Sequence, residues 1–360
     1  MRPDKVYFRV DASLNIGSGH VMRCLTLANA LGKRGIQAGF VCRAHEGNLI
    51  SFIEQQGYAV HNLGAPQVHR EGFSGYESWL GVHPRVDAEE TARHFRGNGP
   101  VWVVADHYGI GDCWERAIKK QADKVIVIDD LANRNHYCDL LIDSSFQRST
   151  SDYDGLVPSG SRVLAGTRYC LLRDEFVEVR QVTPKKPSPL PPKRILISLG
   201  GVDLHNSASL ILDELERTQL PNSTEIDVVI GHACPHKTTL EHQSRHARLS
   251  VSVHQGVTDM AQRIIAADLC IGAVGSSIWE RCCLGCPSIV ATLAPNQEEG
   301  AGKLQSTGVV LSFSPSCIGQ LQRLIDGLTS SELKLLSDNG LRLVDGLGTE
   351  RVIQTMLEQE

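Results

Sequence analysis

His20 closes the loop Asp11-Ala12-Ser13-Leu14-Asn15-Ile16-Gly17-Ser18-Gly19-His20, which follows an apolar run and leads into a helical pattern. Glycines at a strand-to-helix junction permit positive φ and let a ligand approach the backbone closely. Free amides and the positive end of a helix favour an anion or developing negative charge there. That same positive end biases an imidazole in the first turn to its uncharged form, and an uncharged imidazole near neutral pH can take a proton. The spacing also fits a tight turn whose histidine serves a local carbonyl. It is not a dinucleotide fingerprint, because Met22 stands where G-x-G-x-x-G needs its third glycine, and no G-K-[ST] occurs.

A second set of chemistry-bearing residues lies far along the chain. Gly200-Gly201-Val202-Asp203 follows one apolar run, and Gly272-Ala273-Val274-Gly275-Ser276-Ser277-Ile278-Trp279-Glu280 follows another. Ser276 is expected to cap the ensuing helix through its hydroxyl. Loop amides and the two serine hydroxyls suit a diphosphate. Glu280, one turn deeper on the same face, suits a ribose diol. An ordinary capped helix with a solvated glutamate would carry the same letters. Asp106, Asp129 and Asp130 each end an expected strand, where sugar contacts and turn or cap roles are equally open. Arg9 and Arg23 fit phosphate neutralisation or plain ion pairing and stay outside the site assignment. His232, His236, His242 and His246 are irregularly spaced and read as a loop-and-helix surface. Cys282, Cys283 and Cys286 lack a second cluster at zinc-site spacing and read as buried thiols.

These residues need scaffolding, and the apolar patterning supplies it. Strands are expected at 6–10, 38–42, 101–105, 124–128 and 140–142, with an amphipathic helix at 21–31. After the proline-rich 183–194 the same grammar repeats, with strands at 195–199, 226–230, 269–272 and 288–292. Alternating strands and helices argue for parallel sheets in an α/β fold. The expected division is residues 1–182, a linker at 183–194, residues 195–345, and a helix at 346–360 that packs back on the first domain. Ligands of such sheets bind beyond the carboxyl ends of the strands, so a central cleft between the domains is expected.

Composition narrows the function. A net charge of −5 argues against general nucleic-acid binding. No stretch is long and apolar enough for a membrane span, and no signal-peptide core precedes the first strand, so a cytoplasmic protein is expected. Eleven cysteines in a 360-residue chain, an odd count, read as reduced thiols.

Together the motifs resemble a known family. Arg9-Val10-Asp11-Ala12-Ser13, Ile16 through Arg23, Asp106-His107-Tyr108, Ile128-Asp129-Asp130-Leu131-Ala132, Tyr169 through Phe176, Gly275 through Glu280 and Pro295-Asn296-Gln297 resemble the UDP-2,4-diacetamido-2,4,6-trideoxy-β-L-altropyranose hydrolases of pseudaminic acid biosynthesis. The first and last are also similar to the lipid-linked N-acetylglucosaminyltransferase of peptidoglycan synthesis. The resemblance implies a glycosyltransferase-B-like architecture of two Rossmann-like domains facing a central cleft, with the sugar on the first domain and UDP on the second. It implies His20 as the residue that activates or orients water, with Tyr108 and Asn296 as partners. Gly17, Gly19, Asp106, Gly200, Gly201, Gly275, Ser276, Ser277 and Glu280 are expected to bind the UDP-linked diacetamido-trideoxy sugar, with no cofactor and no metal. A glycosyltransferase, a UDP-sugar epimerase and a non-catalytic UDP-sugar sensor are the rival readings.

Overall fold

The computed structural model describes residues 2–67, 75–96, 99–183, 187–293 and 295–358; the linker residues 184–186 lie outside them. The chain forms two compact units, Met1–Leu171 with Leu347–Glu360, and Leu172–Gly346.

In the first unit the strands are β1 (Lys5–Val10), β2 (Gln37–Cys42), β3 (Ala59–Asn62), β4 (Val101–Asp106), β5 (Lys124–Ile128), β6 (Leu140–Asp143) and β7 (Arg162–Ala165). They make one parallel sheet in the order β3-β2-β1-β4-β5-β6-β7. Side chains alternate across a strand, so both faces of a covered parallel sheet must be apolar. Accordingly Val104, Ile126 and Ile128 enter one core with the helix Gly19–Gly32, while Val103, Ala105, Val125 and Val127 enter another with Trp114 and Ile118. The C-terminal helix Gly348–Leu357 joins the first of these cores through Val352, Ile353 and Met356.

The second unit repeats the scheme with β8 (Arg194–Ser198), β9 (Glu225–Ile230), β10 (Ser250–Gln255), β11 (Leu269–Ala273), β12 (Ser288–Ala291) and β13 (Leu311–Phe313), ordered β10-β9-β8-β11-β12-β13. The helix Asp174–Val182 belongs here, although the proline-rich stretch after it looked like the boundary. Its Arg180 guanidinium donates to the carbonyls of Cys283, Val344 and Leu341 at 2.6, 2.8 and 3.0 Å. The division therefore falls at Leu171–Leu172, ahead of the residues expected to mark it.

In each sheet the chain winds outward in both directions from a central pair, β1 and β4 in one and β8 and β11 in the other. The loops leaving the carboxyl ends of such a pair diverge and leave a crevice, where ligands of open α/β sheets bind. The glycine loop ending in His20 leaves β1, and Asp106-His107-Tyr108 leaves β4. Gly200-Gly201 leaves β8, and Gly275-Ser276 leaves β11.

Candidate functional site

Ser13 shapes the His20 loop. Its hydroxyl accepts from the amides of Asn15 and Ile16 at 3.2 and 2.9 Å, and its carbonyl accepts from Gly17 at 2.9 Å. Gly17 closes this ring at φ +78°, a conformation L side chains rarely adopt. The chain then enters the helix at Gly19, and His20 meets the end of β4.

There its Nδ1 lies 2.5 Å from Asp106 Oδ1. Burial alone would raise the Asp106 pKa, but Arg23 and His20 hold its carboxyl well below the usual carboxylate range. An ionised carboxylate only accepts, so Nδ1 faces Asp106 with its hydrogen and Nε2 is the ring nitrogen turned away from it. The sequence pointed to the helix terminus as the charge acting on this imidazole; the buried carboxylate is the nearer and larger one. Arg23, one turn after His20, donates to Asp106 through Nε and Nη2 at 2.5 and 2.6 Å, and to both Asp130 oxygens through Nη1 at 2.9 and 2.8 Å. Tyr108 stands edge-on to His20 with ring centroids 4.6 Å apart and donates its hydroxyl to Asp130 Oδ2 at 2.9 Å. Burial, reinforced by Asp130, pushes the Tyr108 phenol well above its ordinary value, so it remains a donor. Asp130 and Arg23 thus belong to this constellation. The signal for Arg23 was its i,i+3 spacing from His20.

Asp129 and Arg9 do other work. Asp129 accepts from the amides of Leu131 and Ala132 and from Tyr153 and Arg134, fixing the turn after β5. Arg9 is wholly buried and joins Asp11 at 2.7 Å and both oxygens of Asp87 at 2.8 Å. Arg43 and Trp114 complete this network on Asp87. Asp11 also accepts from the Arg43 amide, which ties the start of the His20 loop to the end of β2. Neither Asp87 nor Arg43 stood out in the sequence, because only the fold brings the helix Pro84–Ala92, which carries Asp87, and the end of β2, which Arg43 follows, beside Arg9.

In the second unit Gly200 turns the chain at φ +100°, and Asp203 and Asn206 follow at φ +45° and +54°. Asp and Asn tolerate this region better than most side chains. Asp203 accepts from the amides of Ser207 and Ala208 at 2.8 and 2.9 Å and so caps the next helix. The turn after β11 departs from expectation. Ser276 already has helical dihedrals, φ −55° and ψ −29°, and makes no side-chain cap. Ile278 and Trp279 close tight turns onto the Gly275 and Ser276 carbonyls, so the exposed hydroxyl is uncommitted to the helix. Glu280 is partly exposed, 3.4 Å from Arg173, and burial holds its carboxyl above the ordinary value against the opposing pull of Arg173. Asn296 lies in the helix Pro295–Ser306, but its side chain is outside the described residues.

A hollow of about 600 Å³ lined by Pro189, Pro192, Arg194, Glu225 and Asp268 opens at the amino ends of β8, β9 and β11, away from the glycine turns. Among the described residues no three side chains are grouped to hold a metal ion, and no helix is long and apolar enough to cross a membrane. None of the eleven cysteines is in a disulfide, and Cys282, Cys283 and Cys286 are buried.

No protein-family model matches the chain. It is 30% identical over 217 residues to the UDP-2,4-diacetamido-2,4,6-trideoxy-beta-L-altropyranose hydrolase of Campylobacter jejuni, across 60% of this chain and 67% of that protein. The chain belongs to this hydrolase family. It is also 26% identical to the spore coat polysaccharide biosynthesis protein SpsG of Bacillus subtilis, spanning 97% of this chain and 98% of the relative. Among solved structures, MurG of Acinetobacter baumannii superposes with a TM-score of 0.63 at 16% identity, covering 99% of this chain and 100% of that one. Anabaena HepE in complex with UDP-glucose gives 0.55 at 14% identity over 98% and 99%. These likenesses give the hydrolase-family chain its fold, the glycosyltransferase-B type with two Rossmann-like units. Of the family's motif residues, the structure assembles His20, Asp106 and Tyr108 in the first unit; Ser276, Ser277 and Glu280 share one turn of the second.

Proposed function

We propose that this chain hydrolyses a UDP-linked sugar at the anomeric carbon, releasing UDP and the free sugar. The observation that carries the reading is the Asp106–His20 dyad at the carboxyl edge between β1 and β4, with Nδ1 committed to a buried carboxylate. Nε2 takes a proton from water, and the oxygen attacks the anomeric carbon. The bond from that carbon to the diphosphate oxygen breaks, and its electron pair leaves with UDP. Asp106 stabilises the imidazolium that forms, as in other carboxylate–histidine pairs. Arg23 holds Asp106 in place and fixes Asp130, whose partner Tyr108 borders the imidazole. Asn296 is the third group we assign to the reacting sugar. Gly17 and Gly19 shape the His20 loop, while Gly200, Gly201, Gly275, Ser276, Ser277 and Glu280 take the nucleotide.

The family relationship supports UDP-2,4-diacetamido-2,4,6-trideoxy-β-L-altropyranose as the substrate, and with that substrate we assign the step to pseudaminic acid biosynthesis. Incubation with this UDP-sugar in ¹⁸O-water, without any acceptor, tests the proposal. Equal amounts of UDP and free sugar are expected, with the label in the sugar. UDP release that depends on an added acceptor identifies a transferase instead, and label in UDP overturns attack at carbon. His20→Ala is expected to keep UDP binding and lose turnover by about 100- to 10,000-fold.

A further inference from the structure

Beneath the Gly275–Glu280 turn lies a buried guanidinium that closes no ion pair with an acid among the described residues. Arg281, in the helix Ser277–Cys283, is 1% exposed. Its Nη2 donates to the Ala273 carbonyl at 2.9 Å and its Nη1 to Ser277 Oγ at 3.3 Å, while Nε has no partner among the described residues. The other fully buried arginines are paired: Arg9 with Asp11 and Asp87, Arg43 with Asp87 and Glu90. The carboxylate next in sequence, Glu280, closes its ion pair with Arg173 at 3.4 Å and acts on Arg281 only through space, without contact. Room for the guanidinium comes from Gly272, where an added methyl would collide with it. A buried cation is costly without a counter-charge. A helix of seven residues supplies at most a fraction of a unit charge at its tip, whereas Arg281 supplies a whole one.

We propose that Arg281 is the counter-charge for the diphosphate of a nucleoside-diphosphate ligand at Gly275–Ser277, a positioning residue acting through Ser277. The guanidinium N–H occupies a lone pair of Ser277 Oγ, which leaves the hydroxyl hydrogen to donate to a phosphate oxygen. This inference rests on the UDP-sugar reading above.

Calorimetric titration of the full chain with UDP, UMP and uridine tests it, comparing the wild type with Arg281→Met, Arg281→Lys and Ser277→Ala. Arg281→Met is expected to weaken UDP on the order of 10- to 100-fold, UMP less and uridine not at all. Arg281→Lys should retain part of the UDP preference. The ligand-free Arg281→Met protein should melt no lower than the wild type, because the substitution removes an unpaired buried charge. Equal losses for uridine and UDP, or a lower melting temperature with UDP affinity unchanged, would mean a purely structural arginine. If Arg281→Met does not fold, Ser277→Ala decides: selective loss of UDP supports the relay, and wild-type UDP affinity overturns it. A wild-type chain that binds no UDP defeats the UDP-sugar reading itself, whereas UDP binding matched by Arg281→Met defeats only this inference.

Discussion

Asp106 receives Nδ1 of His20, Nε and Nη2 of Arg23 and the thiol of Cys24, so a single buried carboxylate orients the proposed base and the cation beside it. Asp106→Asn keeps the size and removes the charge. It is expected to lower turnover by about 100- to 10,000-fold while leaving UDP affinity near the wild-type value, as steady-state rates and titration together would show. His107, the neighbour of Asp106, offers a different measurement. Burial pushes its imidazole down to about 3, against the pull of Asp11. Its folded value is below that of an unfolded histidine, roughly 6.5, so the unfolded chain takes up a proton that the folded one refuses. Stability is therefore complete above about pH 6.5 and falls with acidification through that window, with a slope of about 1.4 kcal/mol per pH unit for one proton. Asp11 and Asp106 are also held low, but their loss begins only below about pH 4. His61 and His94, stacked at 4.6 Å and lowered by burial, add to the upper window. Urea unfolding from pH 7 to pH 4.5 should thus show a shallower slope in His107→Gln than in the wild type; identical slopes would remove His107 from this account.

The strands differ in how plainly they can be read. The interior strands are largely apolar, interrupted within only by Arg9 in β1 and Asp227 in β9, because both of their faces are covered. The four strands absent from the sequence reading, β3, β7, β10 and β13, are the four sheet edges. Their residues are mixed: Ala59-Val60-His61-Asn62 is partly exposed throughout, and β10 alternates serine with valine before ending in His254 and Gln255. Edge strands exchange apolar continuity for polar residues because one side has no strand to pair with. The glycine turns depend on neighbouring elements in a way one-dimensional patterning does not display. Gly231, just beyond β9, faces the backbone of Gly201, and a methyl there would overlap it. Gly231→Ala is expected to destabilise the chain by about 1–3 kcal/mol and to weaken UDP binding by displacing the Gly200–Gly201 turn. Urea titration and calorimetry would show both effects; a loss of stability with full UDP affinity would separate that turn from the nucleotide.

The chain crosses between its two units twice, at Leu171–Leu172 and again at Gly346–Leu347, so the last helix completes the core begun by the first strand. Met356, wholly buried in that core, is the sensitive point. Met356→Ala should cost about 2–5 kcal/mol. Hydrogen exchange should show the loss of protection in the helix Gly19–Gly32 and its sheet, with the Leu172–Gly346 unit unchanged; a uniform loss would contradict separate cores. The sequence by itself determined the alternation of strands and helices, the two-fold repeat of that grammar, and the glycine–histidine and glycine–serine turns, because periodicity and turn chemistry are local. Only the tertiary structure decided that Asp106, not the helix terminus alone, governs His20. It also decided that Arg23 and Asp130 belong beside them, that Arg281 is buried without a close ion pair, and that the helix Asp174–Val182 belongs to the second unit. Each of these depends on residues far apart in the chain, or on which side chains burial leaves facing one another. Such relations arise when the strands take their order in the sheet, and no window of sequence contains them.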